Sequence, residues 1–223
     1  MELTTKNTEN LAVCEHPIAL HNLTIMRDKN TNSELFRNAT RRLAEILFFN
    51  ATTNIPTVSA GIETPLCRTE SEIIEPSVEV IIAPILRAGL VFSEVASTLL
   101  PNARVHHLGL FRDEKTLMPV SYYNNLPKSF ENPLKTYIYI LDPMLATGGS
   151  AIASIKLFTD LNVPQENIRF ISLISAPEGI SKLQSVFPAV KIITACVDGH
   201  LNEFGYIMPG LGDAGDRTYN TVY

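Results

Sequence analysis

From Val78 onward, runs that are apolar at nearly every position alternate with stretches that are apolar at every third or fourth. Val78 to Leu86 (VEVIIAPIL), Thr136 to Leu141 (TYIYIL), Asn167 to Ser175 and Val190 to Val197 are runs of the first kind. Rich in β-branched and aromatic residues, with few polar breaks, they predict strands buried on both faces. Arg104 to Phe111 alternates and predicts a further strand ending at Arg112. Helical spacing predicts helices over 90–100 (closed by Pro101), 152–161 and 178–187. This alternation argues for an α/β fold, a mostly parallel central sheet flanked by helices. Upstream, Thr31 to Glu34 fits a capping box, and Leu35, Phe36, Ala39, Leu43, Ile46 and Leu47 follow at helical spacing, predicting an N-terminal helix to about Asn50. Arg37, Arg41 and Arg42 sit off that stripe and read as a solvated or subunit-facing edge, not a ligand site. Residues 54–77 read as a β-arm outside the sheet. Residues 1–15 are polar and read as loosely held; 16–27 show no clear period. Residues 115–135 read as a long, lid-like loop with a ribbon at its base. The tail from Asp198 has many glycines and little periodicity, and reads as a structured loop.

The 223 residues suit one α/β domain, 1–223, with a well-formed core. A net charge of −5 gives no basic excess, so nucleic acid is not a favoured partner. No apolar run reaches the roughly 18 residues of a membrane span, and MELTTKNTEN lacks a secretory pattern. Cys14, Cys67 and Cys196 are odd in number and far apart, without C-x-x-C spacing. They read as reduced packing residues of a cytoplasmic protein.

In an open parallel sheet, ligands bind beyond the carboxyl ends of the strands. Three predicted strands end in charge, at Arg87, Arg112 and Asp142. Two guanidiniums can clamp a pyrophosphate through forked hydrogen bonds. After Asp142, Pro143 stops the ladder, and Ala146-Thr147-Gly148-Gly149-Ser150 is small and flexible before a helix. Strand, acid, Gly-rich turn and helix present backbone N–H groups to an anion. The carboxylate would repel a phosphate but suits hydroxyls beside one, which points to a sugar phosphate. No G-x-x-x-x-G-K-[ST] occurs, so the commonest phosphate loop is excluded. Gly210 to Gly215 formally matches G-x-G-x-x-G, but eight following residues leave no place for the acid that a dinucleotide site needs. His106 and His107 are adjacent in a predicted strand, so they face opposite ways and cannot share a metal. His16, His21 and His200 form no ligand spacing.

Residues 136–150 resemble the phosphoribosyl-pyrophosphate (PRPP) motif of type I phosphoribosyltransferases. DPMLATGGS, with Pro143 in place of a second acid, resembles the uracil phosphoribosyltransferase branch. So do PILRAG (84–89), APEG (176–179) and, most specifically, GYIMPGLGDAGDRTYNT (205–221). The resemblance covers roughly 78–221, with a weaker likeness across the N-terminal helix. It implies transfer of the phosphoribosyl group of PRPP to uracil N1, giving UMP and pyrophosphate in pyrimidine salvage. It implies that Arg87 and Arg112 bind the pyrophosphate side of PRPP and that Asp142 contacts the ribose hydroxyls. Pro143, Met144, Leu145, Ala146, Thr147, Gly148, Gly149 and Ser150 then line the PRPP site, with Leu145 to Ser150 wrapping the 5′-phosphate. Ile207, Gly212, Asp213 and Ala214 would meet uracil, with 198–223 as the base-binding tail. Asp213 would also lie beside PRPP and its Mg2+, steering the metal or the N1 proton, or else simply ordering the tail; Asp213 and Arg112 are the catalytic candidates. A homodimer or higher homo-oligomer is implied, and a GTP activator as in some members, whose site no motif locates. The lid region, Asn124 to Pro133, matches the family less well. Two rival readings are a phosphoribosyltransferase for another base, which the tail's match to the uracil pattern counts against, and an RNA-binding pyrimidine regulator on the same fold, which the absent basic face counts against.

Overall fold

The computed structural model describes residues 5–8, 10–112 and 119–221. In chain order, β1 (Thr5–Thr8) and β2 (Leu11–Cys14) precede α1 (Pro17–Arg27) and α2 (Ser33–Ala51). β3 (Thr57–Glu63) and β4 (Arg68–Ile74) form a separate two-stranded hairpin, the expected arm. β5 (Glu79–Leu86), α3 (Leu90–Leu99), β6 (Arg104–Val105), β7 (Leu108–Arg112) and β8 (Pro119–Asn124) follow. Then come β9 (Thr136–Leu141), β10 (Met144–Leu145), α4 (Gly149–Thr159), β11 (Ile168–Ser175), α5 (Pro177–Val186) and β12 (Lys191–Val197). The tail holds β13 (His200–Leu201), β14 (Ile207–Met208) and α6 (Ala214–Tyr219).

Among the described residues, ten strands make one sheet, with the main order β1-β2-β12-β11-β9-β5-β7-β8. Pairings from β2 across to β7 are parallel, and the two outermost are antiparallel. Side chains alternate across the sheet, so Ile138 and Ile140 of β9 join one core with Ile155, Phe158 and Leu183. Tyr139 and Leu141 join the other with Phe36, Leu43 and Leu47 of α2. Burial on both faces explains why the run is apolar at almost every position.

Several expectations need correction. Residues 11–14 are not loosely held: β2 pairs with β12 as a parallel strand. Residues 17–27 are helical, with Pro17 at the first turn and His16 accepting the Ile18 N–H at 3.2 Å. Their stripe is Ala19, Asn22, Leu23 and Met26, and the buried Asn22 broke the apolar period. Helix α2 is capped by Asn32, which accepts from Leu35 N at 2.9 Å, and not by Thr31. The 104–111 strand is broken at His106–His107, so those rings do not alternate on one continuous strand. Helix α4 begins at Gly149, three residues early, because the phosphate-type turn is its N-terminus. Cys67 is exposed near the arm's tip and is not a packing residue; Cys14 is buried and Cys196 half-buried. The expected ribbon is present as β7–β8, while 113–118, which overlap the expected lid, lie outside the described residues.

Candidate active site

The segment after β9 is fixed backbone by backbone onto β11. Asp142 N donates to Ile171 O at 3.1 Å, Pro143 O accepts from Leu173 N at 2.9 Å, and Leu145 O accepts from Ala176 N at 2.8 Å. The chain then turns at Gly148, whose φ of +76° favours glycine, and enters α4. Gly179 of APEG packs so tightly under this turn that a Cβ there would stand 2.4 Å from Ala146 O. That contact is the physical reason for a glycine in the motif. The result is a hollow of about 150 Å³ lined by Asp142 and the loop from Met144 to Ala151, at a helix N-terminus.

Asp142 lines this hollow. Burial pushes its carboxyl up to about 7, the Asp213 charge adds to this, and the Met144 N–H, donating to Oδ1 at 3.3 Å, opposes it. Asp213 also caps α6, accepting from Asp216 N at 2.8 Å, so a tail-ordering role is present in the geometry.

Arg87 follows β5 after a cis Leu86–Arg87 peptide. Its side chain is 58% exposed, 3.3 Å from Asp216 Oδ1, and lies over the Tyr219 ring at 5.8 Å. Tyr219 Oη donates to Arg87 O at 3.1 Å. Arg112 closes β7, beside β5, and its side chain lies outside the described ones. Ile207, Gly212 and Ala214 lie together in the tail: Ile207 in β14, Gly212 at φ +78°, Ala214 opening α6.

What holds this tail was not foreseen. Arg27, the last residue of α1, forks onto Asp198 just past β12, with Nη2–Oδ1 at 2.5 Å and Nη1–Oδ2 at 2.9 Å. Burial alone would raise the Asp198 carboxyl, but the Arg27 hydrogen bonds and charge and the Gly210 N–H outweigh it and hold it below its ordinary value. Arg217 donates to Met26 O, to Leu211 O at 2.7 Å and to Asp28 O at 2.6 Å, and stacks on Phe36. Arg37 donates to Thr218 O at 2.8 Å, so it is a tail anchor, not a solvated edge. Arg41 does face solvent, pairing with Glu94 at 3.0 Å. Glu178 accepts from Leu201 N at 3.0 Å, tying APEG to the β13–β14 hairpin. Asp198 ends a buried strand as Asp142 does, and that shared position was the available signal.

Comparison with known proteins agrees with this layout. The family model for uracil phosphoribosyltransferase matches residues 13–221. A uracil phosphoribosyltransferase of Dictyoglomus turgidum is 45% identical over 209 residues, 94% of this chain and 98% of its own. One from Fervidobacterium nodosum is 46% identical over 211 residues, 95% and 99% of the two chains. The solved AQ2163 protein from Aquifex aeolicus matches with a TM-score of 0.86 at 35% identity, over 96% of this chain and all (100%) of that one. The adenine phosphoribosyltransferase of Leishmania tarentolae, at TM-score 0.54, 12% identity and coverage of 91% and 98%, shares the fold. Parallel sheet, acid-tipped strand and glycine turn on a helix N-terminus define a type I phosphoribosyltransferase. Within that class, the match over nearly the whole length is specific. The chain belongs to the uracil phosphoribosyltransferase family.

Proposed function

We propose that this chain transfers the phosphoribosyl group of PRPP to uracil N1, releasing UMP and pyrophosphate, in pyrimidine salvage. The observation that carries the reading is the tail docked at the same end of the sheet as the Asp142 loop, where Tyr219 Oη donates to Arg87 O at 3.1 Å and Arg87 pairs with Asp216 at 3.3 Å. The turn from Leu145 to Ser150 wraps the 5′-phosphate, Asp142 accepts from the ribose hydroxyls, and Arg87 and Arg112 take the pyrophosphate. Ile207, Gly212 and Ala214 offer backbone edges to uracil. Cytosine carries an amino group where uracil has a carbonyl, so a fixed N–H donor there rejects it. Pyrophosphate leaves from the anomeric carbon as N1 attacks the opposite face, and positioning and charge supply the catalysis.

Among the described residues no cluster of three or more His, Cys, Asp or Glu could hold a metal. A site of one or two carboxylates fits Mg2+, an ion held largely by substrate phosphates, and Asp213 is the residue that would hold it here. Such an ion would supply neutralisation of charge on the pyrophosphate. The chain acts as one domain over 1–223, in the cytoplasm, as a homodimer or larger homo-oligomer. Ile18 and Phe49, 56% and 66% exposed, border an apolar cleft of about 460 Å³ that suits a second copy. Among the described residues no helix is long and apolar enough to cross a membrane.

The test is to incubate the purified protein with PRPP, Mg2+ and each of uracil, cytosine, hypoxanthine and orotate, with and without GTP, following nucleotide and pyrophosphate. UMP and pyrophosphate from uracil alone are expected, with faster turnover in the GTP arm if the chain shares that activator. Product from another base only, or none from folded protein, would overturn the reading.

A further inference from the structure

One ion pair holds both polar groups of a single peptide residue. Gly210 N donates to Asp198 Oδ2 at 2.9 Å, and Gly210 O accepts from Arg27 Nη1 at 2.8 Å. Arg27 and Asp198 are themselves joined in a fork, and the Asp198 side chain is 3% exposed. Cys196 Sγ flanks the pair, 3.3 Å from Asp198 Oδ1 and 3.5 Å from Arg27 Nη2. Gly210 has a φ of +64°, and a Cβ there would lie 2.1 Å from Ile207 O. The most permissive residue of the loop is thus the one most firmly gripped.

We infer that Arg27 and Asp198 are positioning residues for the base, locking the Gly210 peptide so that Ile207, Gly212 and Ala214 present fixed backbone edges. This rests on the reading of that loop as the base site. Selection by backbone amides works only while the loop cannot rotate, because a turned peptide exchanges a donor for an acceptor. Neighbouring contacts contribute as well. Gly199 N donates to Met208 O at 3.0 Å, and Arg217 donates to Leu211 O at 2.7 Å. The Gly210 grip differs in being made by a forked ion pair whose carboxylate is buried and whose geometry is directional. A plain structural tie between α1 and β12 would affect both substrates alike. A base clamp affects one.

The experiment compares wild type with Asp198→Asn and Arg27→Lys in steady-state assays that vary uracil and PRPP separately, with cytosine as a second base. Asparagine keeps an acceptor for Gly210 N but gives up the ion pair. Lysine keeps the charge but is a point donor that cannot replace the fork. Both variants should raise the uracil KM tenfold or more, leave the PRPP KM within twofold, and narrow the preference for uracil over cytosine. A uracil KM within twofold of wild type, or a parallel rise in both KM values, overturns the clamp. If Asp198→Asn loses its cooperative melt, Arg27→Lys decides by the same split. A wild-type protein that makes no UMP is a separate result and overturns the base-site reading beneath it.

Discussion

Replacing Asp142 with Asn should raise the melting temperature of the ligand-free protein at pH 8 while impairing its use of PRPP. Burial pushes this carboxyl up from 3.8 to about 7, with Asp213 adding to the shift. The folded-state value lies above the unfolded one, so the folded protein holds the proton more tightly. The ionised group therefore costs stability in full above pH 7. The cost shrinks as pH falls from 7 toward 3.8 and is absent below that. At about 1.4 kcal/mol per pH unit, the interval is worth about 4 kcal/mol, an upper bound because solvent reaches part of the side chain. Asparagine keeps the shape and the Oδ1 acceptor for Met144 N, and carries no charge. For a chain of this size about 1 kcal/mol moves Tm by about 2–4 °C, so a gain of about 5 °C or more is expected at pH 8. By pH 5 the gain should fall to less than about half. Scanning calorimetry of both proteins without ligand, at pH 5, 6.5 and 8, reads this directly. A variant that melts at or below wild type at pH 8, or a gain that ignores pH, would refute the argument. PRPP kinetics on the same samples should show the opposite sign, a site that works better while the protein is less stable.

Other consequences are open to measurement. Tyr219→Phe removes the donor to Arg87 O; PRPP use should weaken about fivefold, the worth of about 1 kcal/mol, with the uracil KM unchanged. Equal change in both KM values would show that Tyr219 does not act through Arg87. Gly179→Ala drives a Cβ against Ala146 O and Leu145 O and should cost about 1–3 kcal/mol, with a higher PRPP KM; an unchanged melt by circular dichroism would contradict the close packing. Phe49→Glu should shift the sedimentation profile from dimer or larger assembly toward monomer, and an unaltered profile would place the interface elsewhere.

The strands around the site were readable because each is buried on both faces, which leaves a run with almost no polar break, as in Thr136–Leu141. Helix α2 was readable from its long apolar stripe, although Thr40 lies buried within it and Leu35 stands exposed. Helix α1 was not, because Asn22 occupies a buried stripe position, its Nδ2 donating to Ile18 O at 2.8 Å. Helix α6, only six residues long, is too short for a period and is fixed by the Asp213 cap. The Asp142 loop was legible since its chemistry is local: an acid, a proline and glycines in a row. The Arg27–Asp198 grip was not, since its partners are 171 positions apart and no local rule joins them. Arg37 was misread for the same reason, its acceptor being on Thr218.

That separation also orders events during synthesis. All ten strands of the main sheet end by Val197, one residue before Asp198 is made. At about 5–20 residues per second, Arg27 waits roughly 10–30 s for its carboxylate. The loop after β9 is complete well within that interval, whereas the carboxylate that takes the Gly210 N–H comes at its close and Gly210 itself twelve residues later. A nascent chain therefore carries its phosphate-type turn before the tail that we read as the base site. A chain ending at residue 197 would hold every strand of the main sheet and the Asp142 loop, yet lack both Asp198 and the glycine-rich segment it grips.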